Sequence, residues 1–313
     1  VPAASLIRTL EGPDATLGVR AGAVSIGNFD GVHRGHAALI ERLVARAREV
    51  DGPAVVFTFD PHPAQLLNPA AVPPPLTWTE RKAELLGALG VDAMIAYPAD
   101  RALLALSPDD FFQQILLDRL AIRAIVEGPN FYFGRHRSGT IDYLRELARR
   151  AEVLLDVVEP VQAEGVFVSS SRIRELIQAG QVRAADELLT QPYRVHGMVV
   201  RGAGRGARIG FATANIEPVG MVLPPLGVYA GRAWLRDQSY VAAIHIGPNP
   251  TFGEERVKFE VHLVGYDQPL YGATLFVDFY DRLRGIRPFG DVAELQEQLR
   301  RDVETACRVA AER

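Results

Sequence analysis

Residues 27–36 read Gly-Asn-Phe-Asp-Gly-Val-His-Arg-Gly-His. The apolar run Ala23–Ile26 stands directly before them. A helix is expected to begin near His36, with Leu39, Ile40, Leu43, Val44 and Ala47 on one face. A loop between a strand and a helix is where an α/β sheet binds ligands. The free amides and positive dipole end of such a helix attract phosphate. Gly31 and Gly35 permit close backbone approach, and His33 and His36 can donate hydrogen bonds to phosphate oxygens. Either histidine alone reads as a solvated or satisfied imidazole. The spacing His-x-Gly-His at this junction points instead to a phosphate site, one able to stabilise charge forming on a leaving pyrophosphate.

Working outward, short apolar runs alternate with helix-period segments from residue 23 to about 190, the βαβ signature. Ala23–Ile26, Ala54–Phe59, Val91–Tyr97, Ile122–Glu127 and Val153–Val158 read as strands. Their nearly continuous hydrophobicity suits a parallel sheet covered on both faces. Ser107, Pro108 and Asp110 approximate a capping box that opens another helix. Beyond about residue 190 the period changes to two. Val257, Phe259, Val261 and Leu263 alternate with polar residues, as do Leu275, Val277 and Phe279. With Arg194–Arg201, Val228–Leu235 and Tyr240–Ile246 they make about six strands separated by Gly/Pro turns, which suggests a small antiparallel barrel. Leu295, Leu299 and Val303 form a stripe expected to dock a final helix on it. The expected architecture is a doubly wound α/β domain over residues 1–189, followed by an antiparallel barrel with a terminal helix over 190–313.

Two domains also fit the 313 residues, at roughly 100 to 200 per domain. A net charge of −4 disfavours nucleic acid and anionic membranes as partners and leaves room for small anionic substrates. Cys307 is the only cysteine, which excludes an intrachain disulfide framework and a multi-cysteine zinc site and fits a reducing cytosol. No apolar run reaches the ~18 residues of a membrane span, and Val1–Asp14 lacks a basic segment followed by an apolar one. A cytoplasmic location is therefore expected. Lys82 and Lys258 are the only lysines among 34 basic residues, so a lone Arg is weak evidence of function here.

The decapeptide resembles the HxGH signature of nucleotidyltransferases, in the form carried by bacterial bifunctional riboflavin kinase/FAD synthetases. Phe59-Asp60-Pro61-His62-Pro63, Gly128-Pro129-Asn130-Phe131-Tyr132-Phe133-Gly134 and Ser169-Ser170-Ser171-Arg172-Ile173-Arg174 resemble further segments of that family, in matching order. Singly these are a rigid turn, a loop and an N-cap run. The resemblance implies adenylyl transfer from ATP to FMN with Mg²⁺ held mostly by phosphates. His33, His36 and Arg174 would act on the triphosphate. Gly27, Asn28, Asp30, Gly31, Gly35, Asn130, Ser170 and Ser171 would bind and orient the nucleotide. Phe59, His62 and Pro63 would wall the flavin.

Residues 197–216 hold a Gly-rich stretch leading to Ala212-Thr213-Ala214-Asn215. The glycines alone read as a flexible loop, but the segment is similar to the riboflavin kinase signature. That likeness implies nucleotide binding by Gly202, Gly206, Thr213 and Asn215, with Thr213 and Asn215 also on Mg²⁺. Gly247-Pro248-Asn249-Pro250-Thr251-Phe252 and the segment around Glu260 resemble the family too. Glu260 falls at the position of its general base, whereas strand alternation alone makes it an ordinary polar residue. The sequence departs from the family at Ala207 (Arg), Ala212 (Pro), His245 (Asn) and Ile286 (Glu).

The expected function is thus riboflavin to FMN and FMN to FAD, both at the expense of ATP, with no nucleic acid or membrane partner; no oligomeric state is read from the sequence. The alternatives are a monofunctional FMN adenylyltransferase with a degenerate barrel, a non-catalytic flavin-binding regulator, and adenylyl transfer to another acceptor such as nicotinamide mononucleotide. The kinase-like second half disfavours the last.

Overall fold

The computed structural model describes residues 3–10, 18–68, 72–163, 165–202, 204–249 and 254–313. The chain divides into two compact units, residues 1–73 with 77–169 and residues 74–76 with 170–313.

The first unit is built on β1 (Ser5–Ile7), β2 (Ala23–Ile26), β3 (Ala54–Phe59), β4 (Ala93–Tyr97), β5 (Ala124–Glu127) and β6 (Leu154–Val157). All pairings are parallel, in the order β1-β4-β3-β2-β5-β6. Strand order reverses beside β2, so the crevice between the C-terminal ends of β2 and β5 is the switch point where such sheets bind ligands. Helices α1 (Arg34–Glu49), α2 (Pro63–Leu67), α3 (Thr79–Ala88), α4 (Arg101–Ala105), α5 (Pro108–Asp110) and α6 (Ile141–Arg150) connect the strands. Ile40, Leu43 and Ala47 of α1 and Leu85 and Leu86 of α3 cover one face of the sheet. Leu144 and Leu147 of α6, with Phe111, Phe112, Ile115 and Leu116, cover the other.

Several local expectations shift. Strand β1 has only three residues, too short a run to be expected as a strand. Val91, Ile122 and Val153, read as strand starts, are buried in the turns just ahead of β4, β5 and β6. The sheet is not covered throughout, because β6 is an edge strand whose Leu154 is 46% exposed. Ser107 does cap α5, its Oγ accepting the Asp110 N–H at 3.1 Å with Pro108 at the first helical position. That turn then widens into a π-helix over Phe111–Arg119. An antiparallel pair, β7 (Gln162–Ala163) and β8 (Val166–Phe167), closes the unit.

The second unit opens with α7 (Ser170–Gln178) and α8 (Val182–Leu188), packed on each other, with α8 against the barrel. The barrel comprises β9 (Tyr193–Val200), β10 (Ala214–Pro218), β11 (Gly227–Leu235), β12 (Gln238–Asn249), β13 (Glu254–Leu263) and β14 (Thr274–Arg284). It closes in the order β10-β13-β12-β11-β14-β9, every pairing antiparallel. Helix α9 (Arg205–Arg208) interrupts the loop between β9 and β10, and α10 (Val292–Ala311) packs on β11, β12 and β14. The docking of α10 differs in detail from expectation. Its buried face is Asp302, Ala306 and Ala310, while Leu295, Leu299 and Val303 line a cavity between helix and barrel. The helix is rotated toward Asp302 by an ion pair described below.

Candidate active sites

The first site lies at the β2–α1 junction. His33 is the N-cap of α1, and it forms a reciprocal box with His36. The His36 N–H donates to His33 Nδ1 at 3.2 Å, and the His33 N–H donates to His36 Nδ1 at 3.3 Å. The rings stack at 3.6 Å with 15° between planes. With both Nδ1 atoms accepting from backbone, the proton of each neutral ring resides on Nε2. The pair therefore presents two N–H donors side by side. Burial pushes the His33 pKa down to about 4, against the pull of Asp30. His36 is held well below its usual range by burial, then by the charges of His33 and Lys82. Protonating either ring at Nδ1 would also break the box. Gly35 suits this place, because a Cβ there would lie 3.1 Å from the His33 ring and press on it. The loop itself is strained: the buried Phe29 and Val32 have φ of 47° and 40°, and a β-branched residue rarely adopts such a value.

Asp30 and Gly31 act as a brace rather than standing open. Asp30 accepts from the Thr77 N–H at 3.0 Å and the Thr77 hydroxyl at 3.1 Å, and Thr77 Oγ1 accepts the Gly31 N–H. Gly27 ties β2 to β3 by donating to the Phe57 carbonyl at 3.0 Å. Asn28 meets His62, its side-chain amide lying 2.7 Å from Nε2. The other ring nitrogen of His62, Nδ1, accepts the Ala64 N–H at 3.0 Å. Phe59, at the end of β3, begins an aromatic series running through Phe57, Phe111, Phe133 and Phe131. Pro63 starts α2, and Asn130 is exposed in the turn after β5. Ser170, Ser171 and Arg174 stand on α7 in the second unit, where Arg174 Nε donates to the Pro74 carbonyl at 3.1 Å.

Sequence reading missed three residues of this site. Thr77 and Lys82 come from α3 and the approach to it. Glu127, buried at the end of β5, accepts the Ile26 N–H at 2.6 Å. Burial pushes its carboxyl well above the usual carboxylate range, the Ile26 N–H opposing. Only the compositional oddity of Lys82 was a signal.

The second site is a pocket, open to solvent, between the barrel and α10. Asn215, Glu260 and His245 stand opposite one another on β10, β13 and β12 and all line it. Glu260 Oε2 accepts from Asn249 Nδ2 at 3.1 Å, and His245 Nε2 lies 3.2 Å from the Gly247 carbonyl. Burial lowers the His245 pKa, with the Glu260 carboxylate opposing. Ile286 and His245 converge on Gly247, where a Cβ would meet them at 2.9 and 3.7 Å. The loop before β10 wraps tightly. A Cβ on Gly202 would lie 2.1 Å from the Asn215 side chain, and one on Gly206 2.2 Å from the Phe211 carbonyl oxygen. At Ala212, where the family has Pro, His262 Nδ1 meets the Ala212 carbonyl at 2.7 Å and restrains the turn instead. Ala207 lies within α9. Pro250, Thr251 and Phe252 fall outside the described residues. Arg284, an unexpected member of the lining, pairs bidentately with the buried Asp302 at 2.7–3.1 Å.

Among the described residues, no group of three or more His, Cys, Asp or Glu side chains could hold a metal ion, and no helix is long and apolar enough to cross a membrane. Residues 19–172 match the family model for FAD synthetase and residues 189–310 that for riboflavin kinase. The bifunctional riboflavin kinase/FMN adenylyltransferase of Pseudomonas fluorescens is 33% identical over 92% of each chain. That of Bacillus subtilis is 35% identical over 91% of each. Among solved structures, one described as a macrolide-efflux protein from Streptococcus pneumoniae superposes with a TM-score of 0.83 at 29% identity, over 97% of this chain and 99% of that one.

Proposed function

The chain belongs to the bifunctional riboflavin kinase/FMN adenylyltransferase family, and from that premise we propose that it phosphorylates riboflavin in the barrel and adenylylates FMN in the α/β module. We take the modules as residues 1–189 and 190–313, and the enzyme as cytoplasmic. The observation that carries the adenylylation reading is the stacked pair of Nε2–H donors at His33 and His36. An FMN phosphate oxygen attacks the α-phosphate of ATP in line, the bond to the β-phosphate bridging oxygen breaks, and pyrophosphate leaves with that electron pair. Two neutral donors, fixed in advance, stabilise the oxygens that gain charge without needing to reorganise. Asn28 and Asn130 orient the triphosphate, as do Ser170, Ser171 and Arg174 in the family resemblance. Phe59, His62 and Pro63, extended by Phe131, supply a wall for the flavin.

In the barrel, Glu260 takes the proton of the ribityl 5′-hydroxyl as that oxygen attacks the γ-phosphate of ATP, and ADP leaves. Thr213, just before β10, and Asn215, within it, offer hard oxygen donors beside a loop in which a Cβ on Gly202 or Gly206 would clash at 2.1 or 2.2 Å, a donor set that fits Mg²⁺. When bound, Mg²⁺ would neutralise phosphate charge. The test is product analysis of purified protein with Mg²⁺-ATP and either riboflavin or FMN. FAD from both is expected. FAD from FMN alone would favour the monofunctional reading, which His245 and Ile286 in the kinase cavity keep in view, and no product from either would favour a regulator.

A further inference from the structure

Lys82 stands in the first turn of α3, which is sewn to the phosphate junction on one side by Thr77 and Asp30 and to the Phe59–Pro63 segment on the other. The second seam is the Thr79 hydroxyl donating to Asp60 Oδ2 at 2.7 Å. The ammonium acts electrostatically on Asp30, Asp60 and His36, so it lies among the histidine pair, its loop and the proposed flavin wall. Yet among the described residues it makes no hydrogen bond and no ion pair. Both nearby carboxylates are engaged elsewhere, Asp30 by Thr77 and Asp60 by Thr79 and by Arg8 at 3.3 Å. A half-buried cation lacking a close partner is poorly solvated and poorly paired in the free protein, and an anion would relieve it. The chain is otherwise an arginine user, with lysine at only two of its 34 basic positions. A guanidinium brings five donors in a rigid fork, whereas an ammonium is a compact charge that fits where one group is to be met.

We propose that Lys82 binds the 5′-phosphate of FMN and holds it between the flavin wall and the histidine pair, so that the attacking oxygen faces the α-phosphate of ATP. The triphosphate already has the two Nε2–H donors, and the attacking phosphate otherwise has no cation assigned to it in the first unit. This rests on the adenylylation reading above. No proton moves at Lys82; its charge is used for binding. A cation kept for a ligand also differs from one kept for the fold in what its removal does to the free protein.

The experiment uses the full chain with Lys82→Met, and Lys82→Gln as a second neutral variant. FAD formation is followed with FMN varied at saturating ATP and with ATP varied at saturating FMN. Riboflavin phosphorylation and thermal melting of the ligand-free protein are measured alongside. The expected result is a tenfold or larger rise in the KM for FMN, a KM for ATP within threefold of the parent, unchanged riboflavin phosphorylation, and a melting temperature equal to or above the parent's. A KM for FMN within threefold of the parent would overturn the proposal. So would a parallel rise for ATP, which would move Lys82 to the triphosphate, or a lower melting temperature with both activities impaired, which would make it structural. Absence of FAD from the parent protein would instead sink the adenylylation reading itself.

Discussion

In the proposed adenylylation His33 and His36 act as neutral rings, and this carries a pH signature. In the unfolded chain a histidine titrates near 6.5, whereas burial holds His33 at about 4 in the fold. Between those values the unfolded state binds a proton that the folded state does not, so stability falls as pH falls through the window. The full difference is about 3 kcal/mol for His33, and His36 adds in the same direction. Denaturant melts of the α/β module at pH 7 and pH 4.5 should differ accordingly. His33→Asn, which keeps an N-cap acceptor, should flatten that dependence. In the barrel, Glu260→Gln should lower riboflavin turnover by about 10²-fold or more while FMN adenylylation persists; equal loss of both, or neither, would remove Glu260 from its role. The histidine spacing was readable because it is local. The tautomers were not, since they depend on which backbone N–H each Nδ1 accepts. Lys82 was visible only as a rare letter, 46 residues beyond His36 in the chain.

The elements that carry the sites were legible where one period dominates. β2 and α1 flank the motif as expected, because Ala23–Ile26 is wholly apolar apart from Ser25 and α1 keeps one apolar face. Helix α10 was legible as a helix but not in its rotation. Its leucine stripe predicts the barrel contact, whereas the buried face includes Asp302, paired with Arg284 and supported by Gln298 Nε2 at 2.9 Å. No periodicity argument places a carboxylate in a core; the partner, 18 residues earlier on β14, has to be known. Removing one member of such a buried pair strands the other, so Asp302→Ala should cost the barrel module about 3–5 kcal/mol. A urea midpoint measured on the barrel's Trp234 fluorescence would register it, and an unchanged midpoint would mean that Arg284 finds another partner. Because Arg284 also lines the cavity, riboflavin phosphorylation should fall in the same variant.

At the scale of the whole molecule, the chain joins an FAD synthetase region to a riboflavin kinase region and divides into two compact units. The switch in hydrophobic period near residue 190 made two modules evident from the sequence. The compact units divide earlier, at Ser169/Ser170, because α7 and α8 pack with the barrel unit, a preference that no feature of their own sequences announces. Two independent sites lead to a complementation test. His36→Ala should lose FAD formation by about 10²–10³-fold and retain FMN formation, and Glu260→Gln should do the reverse. A mixture of the two variants given riboflavin and ATP should then produce FAD after a lag, FMN passing through solution. Failure of the mixture, with each variant active in its remaining step, would mean that FMN is handed over within one chain.

The reciprocal box at the start of α1 also decides what the histidine pair refuses. A ring nitrogen can ligate a transition metal only through a lone pair, and both available lone pairs are already spent on backbone N–H groups. What the two rings have left to offer is a pair of N–H bonds, which repel a cation. Two stacked histidines would ordinarily make an inviting seat for stray zinc, copper or nickel, yet this pair offers them nothing unless the helix start unravels. Selectivity against such metals would thus be enforced by the helix cap itself.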